Sequence, residues 1–235
     1  MPVIAILVIV TLVSGSSDKK SSKVTTAGAC GTPVANPTRK FAAAPPQTID
    51  PSANYTATVC TSEGNFSLFL DAKTAPVATN NFVFLARQGF YDGLTFHRVV
   101  KDFVIQGGDP AGDGSGGPGY NVPGEVPSDH YPIGVLAAAK TGADPAGSFG
   151  SQFFVVTGKN GATLPNDYAR FGRVDQGLTV AKKIEGLAPA TGDGKPTTPV
   201  KILAIQVREN GKVLGPNTTT SSSTSSSSTT TKPKG

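Results

Sequence analysis

From about residue 53 to 212 the chain repeats one pattern: apolar and β-branched runs four to eight residues long, most of them separated by Gly, Pro, Asn or Asp. The runs are Tyr55–Cys60, Asn65–Leu70, Thr95–Val99, Phe103–Gln106, Gly134–Ala139, Gln152–Thr157, Arg170–Val174 and Val200–Val207. Short runs bounded by turn residues predict an antiparallel barrel or sandwich. Thr61-Ser62-Glu63-Gly64 reads as the hairpin turn joining the first two.

Two stretches change period. In Thr74–Gln88 the residues Ala78, Phe82, Leu85 and Ala86 fall on one helical face, Thr74 is the expected N-cap, Pro76 sits in the first turn and Gly89 ends the helix. Leu178–Glu185, closed by Gly186, predicts a second, shorter helix. The expected fold is mainly β: a closed eight-stranded antiparallel β-barrel capped by two α-helices.

The pattern fails at both ends. Val3 to Val13 is apolar for about eleven residues, where a bilayer span needs about twenty, so residues 1–13 read as a signal peptide or membrane anchor. Polar SGSSDKKSS follows, and residues 14–52 read as a Ser/Thr/Ala/Pro-rich linker. Residues 213–235 read as a disordered Ser/Thr-rich tail with no side chains able to form a core. A secreted protein, or one tethered by its N-terminus to the outer face of the cytoplasmic membrane, is the expectation.

Composition narrows the function. Charged residues make up only 16% of the chain and Gly and Pro number 28 and 19, which favours turn-rich β structure over a helical bundle. The net charge of +5 comes from scattered lysines rather than a basic run interleaved with aromatics, so no nucleic-acid partner is expected. Two histidines, and two cysteines outside any CxxC, do not suggest a zinc site. Cys30 and Cys60 would form one disulfide outside the cell or remain two unpaired thiols; sequence leaves both open.

Candidate chemistry concentrates in three blocks: Phe96-His-Arg-Val-Val-Lys-Asp-Phe-Val-Ile-Gln-Gly-Gly-Asp-Pro110, Gly150-Ser-Gln-Phe-Phe-Val-Val-Thr157 and Phe171-Gly-Arg-Val174. Their order and spacing resemble the signature blocks of the cyclophilin family, and TAPVATNNFVFLARQGFYDGLTFHRV resembles its first helix and following strand. The resemblance covers about residues 55 to 208 and implies peptidyl-prolyl cis/trans isomerase activity on proline-containing peptides and unfolded protein clients, with no cofactor and as a monomer.

By the same resemblance Arg98 is the catalytic donor to the prolyl nitrogen. Phe103, Val104, Phe154 and Leu164 are implied to form the proline pocket, Val104 standing where the family usually has methionine. Gln106 would orient Arg98 and the substrate carbonyl, Gln152, His97 and Tyr168 would form the rim, and Ala139 part of the groove. Two departures bear on binding. Lys140 replaces the asparagine that holds the substrate backbone, and Thr163 stands, within one position, where cyclosporin-sensitive members have tryptophan, so weak cyclosporin binding is expected. A peptide-binding module with little turnover and a cell-surface interaction domain are the competing readings.

Overall fold

The alternating runs pair as antiparallel strands. The computed structural model describes residues 29–216, in chain order β1 (Tyr55–Thr61), β2 (Gly64–Leu70), α1 (Pro76–Arg87), β3 (Arg98–Val100), β4 (Val104–Gly107), β5 (Val122–Pro123), β6 (Val135–Ala138), β7 (Ser148–Phe149), β8 (Phe153–Val156), β9 (Arg170–Gln176), α2 (Leu178–Glu185), β10 (Asp193–Gly194), β11 (Ile202–Glu209) and β12 (Lys212–Val213). The expected signal or anchor segment, residues 14–28 and the tail from 217 lie outside the described residues.

The main sheet runs β10-β3-β4-β8-β6-β9-β2-β1-β11-β12. Its ends meet just before β3 and β11: Thr95 bridges Lys201, the Phe96 amide donates to the Val200 carbonyl at 3.0 Å, and the Ile202 amide to the Leu94 carbonyl at 2.7 Å. Eight strands, β3 to β11, thus return to their starting point. The rings of Phe82, Tyr91, Phe96, Phe153 and Phe171 meet inside, with Leu68, Leu136, Val155 and Ile205 around them.

Helix α1 shows how local sequence and distant contacts divide the work. Ala78, Phe82, Leu85 and Ala86 are buried, and Gly89 at φ +67° lets its own amide and that of Phe90 return to the carbonyls of Ala86 and Leu85. The start differs from expectation. Ala75, not Thr74, is the cap residue, and no side chain of the first turn caps it. Glu125, far along the chain, accepts instead from the amides of Val77 (2.7 Å) and Ala78 (3.1 Å). A carboxylate there satisfies two orphan donors and opposes the positive end of the helix dipole.

The expected linker is also different. Residues 29–52 form an arm packed along the domain rather than a flexible tether. Cys30 is disulfide-bonded to Cys60, Ile49 is buried, and Phe41 stacks edge-on against Phe84. Asn80 accepts from the amides of Thr48 and Ile49 and donates to the Pro46 carbonyl, so a helix face that reads as polar is buried by the arm. At the other end the fold extends past 212: the Leu214 amide donates to the Val207 carbonyl at 2.9 Å.

Replacing Glu125 with alanine is expected to lower stability by about 1–2 kcal/mol. The urea midpoint should fall while the slope of the transition stays the same; an unmoved midpoint would show that the helix start does not depend on this carboxylate.

Candidate active site

Strands β4, β8 and β6 are buried on both faces. Ile105, Phe153, Val155, Leu136 and Ala138 point into the barrel. Their neighbours Val104, Phe154, Val156, Val135 and Ala137 form a second apolar cluster outside it, with Tyr131 buried among them and Val100, Phe103, Ala139, Leu164 and Tyr168 around the edge. Register then aligns one row across four strands: Arg98 opposite Gln106, Gln106 opposite Phe154, and Phe154 opposite Ala137.

A pocket of about 90 Å³ opens on this row, lined by Arg98, Phe103, Val104, Gln106, Ala139, Lys140, Phe154, Leu164 and Tyr168. The ring of Phe154 meets Tyr168 edge-on at 5.5 Å. Tyr131 holds Tyr168 by its backbone, its hydroxyl donating to the Tyr168 carbonyl (2.7 Å) and accepting from its amide (3.1 Å). The floor is therefore apolar and the rim carries one guanidinium, one amide and one ammonium.

The polar groups form a chain. Arg98 Nη1 donates to Gln106 Oε1 at 3.3 Å, Gln106 Nε2 to Gln152 Oε1 at 3.0 Å, and Gln152 Nε2 to the carbonyls of Gly114 (2.8 Å) and Gly116 (2.9 Å). The far side of the guanidinium is held by Asp193, with Nε and Nη2 at 2.8 and 2.7 Å from its two carboxylate oxygens. Gly108, at φ +86°, makes the turn after Gln106; a Cβ there would lie 2.4 Å from the Ser151 carbonyl oxygen.

Two of the eleven residues expected at the site stand outside this pocket. Gln152 faces the adjoining groove of about 530 Å³, which Gln106, Ala139 and Lys140 share. His97 turns inward from the rim: it is 7% exposed and neither ring nitrogen has a hydrogen-bond partner. Burial holds its pKa below the ordinary imidazole value; Asp109 and Asp113 pull the other way, and Arg98 and Lys195 add to the depression.

The two departures are now concrete. Lys140 is not a free charge: its ammonium lies 2.7 Å from Asp167, donates to the carbonyls of Asp144 and Thr141, and sits over the Tyr168 ring. The hydrogen bond to Asp167 raises its pKa. Thr163 ends a short 3₁₀ turn, exposed, its hydroxyl donating to the Asn160 carbonyl, and it does not reach the pocket that its neighbour Leu164 lines. Sequence reasoning missed Asp193, Asp167 and Tyr131. Each is an ordinary loop or strand-edge residue whose partner lies far along the chain, and no local pattern marks it.

Residues 56–207 match the model of the family described as cyclophilin type peptidyl-prolyl cis-trans isomerase/CLD. The chain belongs to this family. The cyclophilin-type domain is similar to the probable peptidyl-prolyl cis-trans isomerase B of Mycobacterium tuberculosis, 38% identical over 172 residues that cover 65% of this chain and 54% of that protein. The chain thus spans about half the length of that curated relative. The peptidyl-prolyl cis-trans isomerase-like 1 of Mus musculus is 40% identical over 168 residues, 69% of this chain and 96% of that one. A solved cyclophilin type isomerase of Cryptosporidium parvum superposes with a TM-score of 0.61 at 30% identity, covering 66% of this chain and 98% of that one. The same protein solved in the presence of the dipeptide Ala-Pro gives 0.58 at 30% identity, over 64% and 96%. Among the described residues no group of three or more His, Cys, Asp or Glu could hold a metal ion.

His97 gives the cyclophilin-type domain a predictable pH response. A histidine whose native pKa lies below its unfolded value of about 6.5 binds more protons when unfolded. Stability should be full above about pH 6.5 and decline as pH falls from there towards the depressed native pKa. Urea titrations between pH 7.5 and 5 on the wild type and His97→Gln should show the decline only in the wild type; equal slopes would exclude His97 as the cause.

Proposed function

We propose that this chain is a peptidyl-prolyl cis/trans isomerase that accelerates X-Pro isomerisation during the folding of exported proteins, Arg98 stabilising the twisted imide. The observation that carries the reading is the juxtaposition of a small apolar pocket and one fixed guanidinium. Phe103, Phe154 and Leu164 line a space of about 90 Å³, sized for one compact ring, and Arg98 stands on its rim.

The chemistry follows from the peptide bond. Conjugation of the nitrogen lone pair with the carbonyl sets a rotation barrier of about 18–20 kcal/mol. In the 90°-twisted state that conjugation is lost and the lone pair returns to nitrogen. A donor aimed at that nitrogen gains strength only as the bond twists, so it lowers the barrier without binding the planar ground state equally well. Asp193 and Gln106 fix the guanidinium while Nη1 keeps a hydrogen free of Gln106. The apolar wall seats the ring and excludes water. No proton is abstracted and no cofactor takes part. Substrates are proline-containing segments of unfolded clients, in keeping with the Ala-Pro dipeptide named with the Cryptosporidium parvum relative. Weak cyclosporin binding and a monomeric state belong to the same reading.

Export is supported by the apolar run at residues 3–13 and by the Cys30–Cys60 disulfide, a bond at home in an oxidising compartment. The reading is of a protein released outside, or tethered by its N-terminus to the outer face of the cytoplasmic membrane. Among the described residues no helix is long and apolar enough to cross a membrane.

A protease-free isomerisation assay on the full chain tests the activity. Arg98→Ala should lower kcat/KM by roughly 10²- to 10³-fold, the scale of losing one transition-state donor. Arg98→Lys should not restore it, since an ammonium cannot grip both Asp193 oxygens and still present a planar donor. Wild-type rates equal to the uncatalysed background would reject the enzyme in favour of a peptide-binding module. Recovery of the protein from the cytosol alone, with residues 1–13 intact, would reject export.

A further inference from the structure

The Gln106–Gln152 chain ends on a loop that should not hold still by itself. Residues 107–119 contain seven glycines in thirteen positions, the composition of a flexible segment. Its first half is organised from within, Asp109 accepting from the amides of Ala111, Asp113 and Gly114 at 2.8, 2.9 and 2.6 Å. Asp113 likewise accepts from the Ser115 amide and hydroxyl at 2.9 and 2.6 Å, but the carbonyls from Gly114 onward are anchored from outside. Gln152 donates to the carbonyls of Gly114 and Gly116, and the N-terminal arm donates to the next two: Lys40 Nζ to Gly117 at 3.0 Å and the Phe41 amide to Pro118 at 2.8 Å. Gly119 lies so close that a Cβ there would stand 2.8 Å from the Phe41 carbonyl oxygen.

The arm has its own footing, independent of this loop. Cys30 is bonded to Cys60, and the Val34 amide donates to Asp92 Oδ2 at 2.8 Å. Arg39 donates to the carbonyls of Gly89 and Asp92, and the Phe41 ring packs against Phe84 and Phe90. A side-chain amide that spans two carbonyls of a mobile loop moves with it. Once Gly117 and Pro118 are clamped, the carbonyls of Gly114 and Gly116 become fixed acceptors and hold Gln152 in one orientation.

We propose that Lys40 and Phe41 are positioning residues for the reaction: by clamping the glycine loop they fix Gln152, and through Gln106 the free donor of Arg98. The inference rests on the isomerase reading, with Arg98 as donor. Neither residue touches the proline pocket, and both lie in the segment that composition marks as linker.

The test is a double-mutant cycle on the full chain, with an uncharged Ala-Pro peptide and at a temperature where unfolding curves show every variant folded. Lys40→Met/Phe41→Ala should lower kcat by about three- to tenfold with KM within about twofold, a loss of geometry rather than of binding. In a Gln152→Leu background the same pair should change kcat by less than about twofold, because the link it acts through is already cut. Lys40→Arg, which keeps a donor, should retain turnover. Unchanged kcat, or equal losses in both backgrounds, would overturn the proposal. If the wild type shows no turnover, the isomerase reading fails, and the side-chain amide NMR signals of Gln152 decide the clamp: a shift towards the solvent-exposed position in Lys40→Met/Phe41→Ala supports it, and unshifted signals overturn it.

Discussion

Every apolar side chain that β4 and β8 send into the pocket is chemically tied to one in the barrel core. Val104 alternates with Ile105, and Phe154 with Phe153 and Val155. Side chains of a strand face opposite sides with a period of two, so a slip of one residue would send the pocket into the barrel and the core into solvent. The core therefore fixes the register, and the register delivers Arg98, Gln106, Phe154 and Ala137 as one row. The outer wall inherits the rigidity of the inner one.

The polar half of the site is built on a different principle. Arg98 and Asp193 are 40% and 49% exposed, so their ion pair adds little to stability. Its two-pronged geometry is what matters: it leaves the guanidinium little freedom to rotate at the rim of the pocket. Gln106 and Gln152 act similarly, each using one amide oxygen and one amide nitrogen so that the next donor has a single favourable orientation. On the proposed isomerase reading, apolar packing sets where the proline ring goes, and hydrogen bonds set where the Arg98 donor points.

What could be read from the sequence was whatever a local period encodes. The eight runs, the hairpin at Thr61–Gly64, the buried face of α1 and its glycine stop all follow from spacing and turn chemistry; the matching blocks brought five pocket residues into view, Arg98, Phe103, Val104, Gln106 and Phe154, and the wider resemblance the other four. The features that escaped depend on partners remote in the chain. Asp193 meets Arg98 across 95 positions and Glu125 caps α1 across 48. The arm escaped for another reason. Its proline- and alanine-rich composition reads as linker, whereas its order rests on a few separated anchors, Cys30, Val34, Phe41 and Ile49, with no repeating period to betray them.

The cations around the pocket are paired. Arg98 is matched by Asp193 and Lys140 by Asp167, so neither cation presents a bare charge to a peptide. For the proposed isomerase, an unmatched cation beside the groove would attract the carbonyl oxygens of planar and twisted peptide alike, tightening the ground state along with the transition state and leaving the barrier where it was. Pairing removes that indiscriminate attraction and keeps the direction of the N–H groups. At Lys140 the paired ammonium is a structural element: held by Asp167 and two carbonyls, the side chain supplies wall to the pocket beside Tyr168. Lys140 can stand beside the pocket because Asp167 pairs with it, and on the proposed isomerase reading discrimination then falls to shape and to the Arg98 donor set by Gln106.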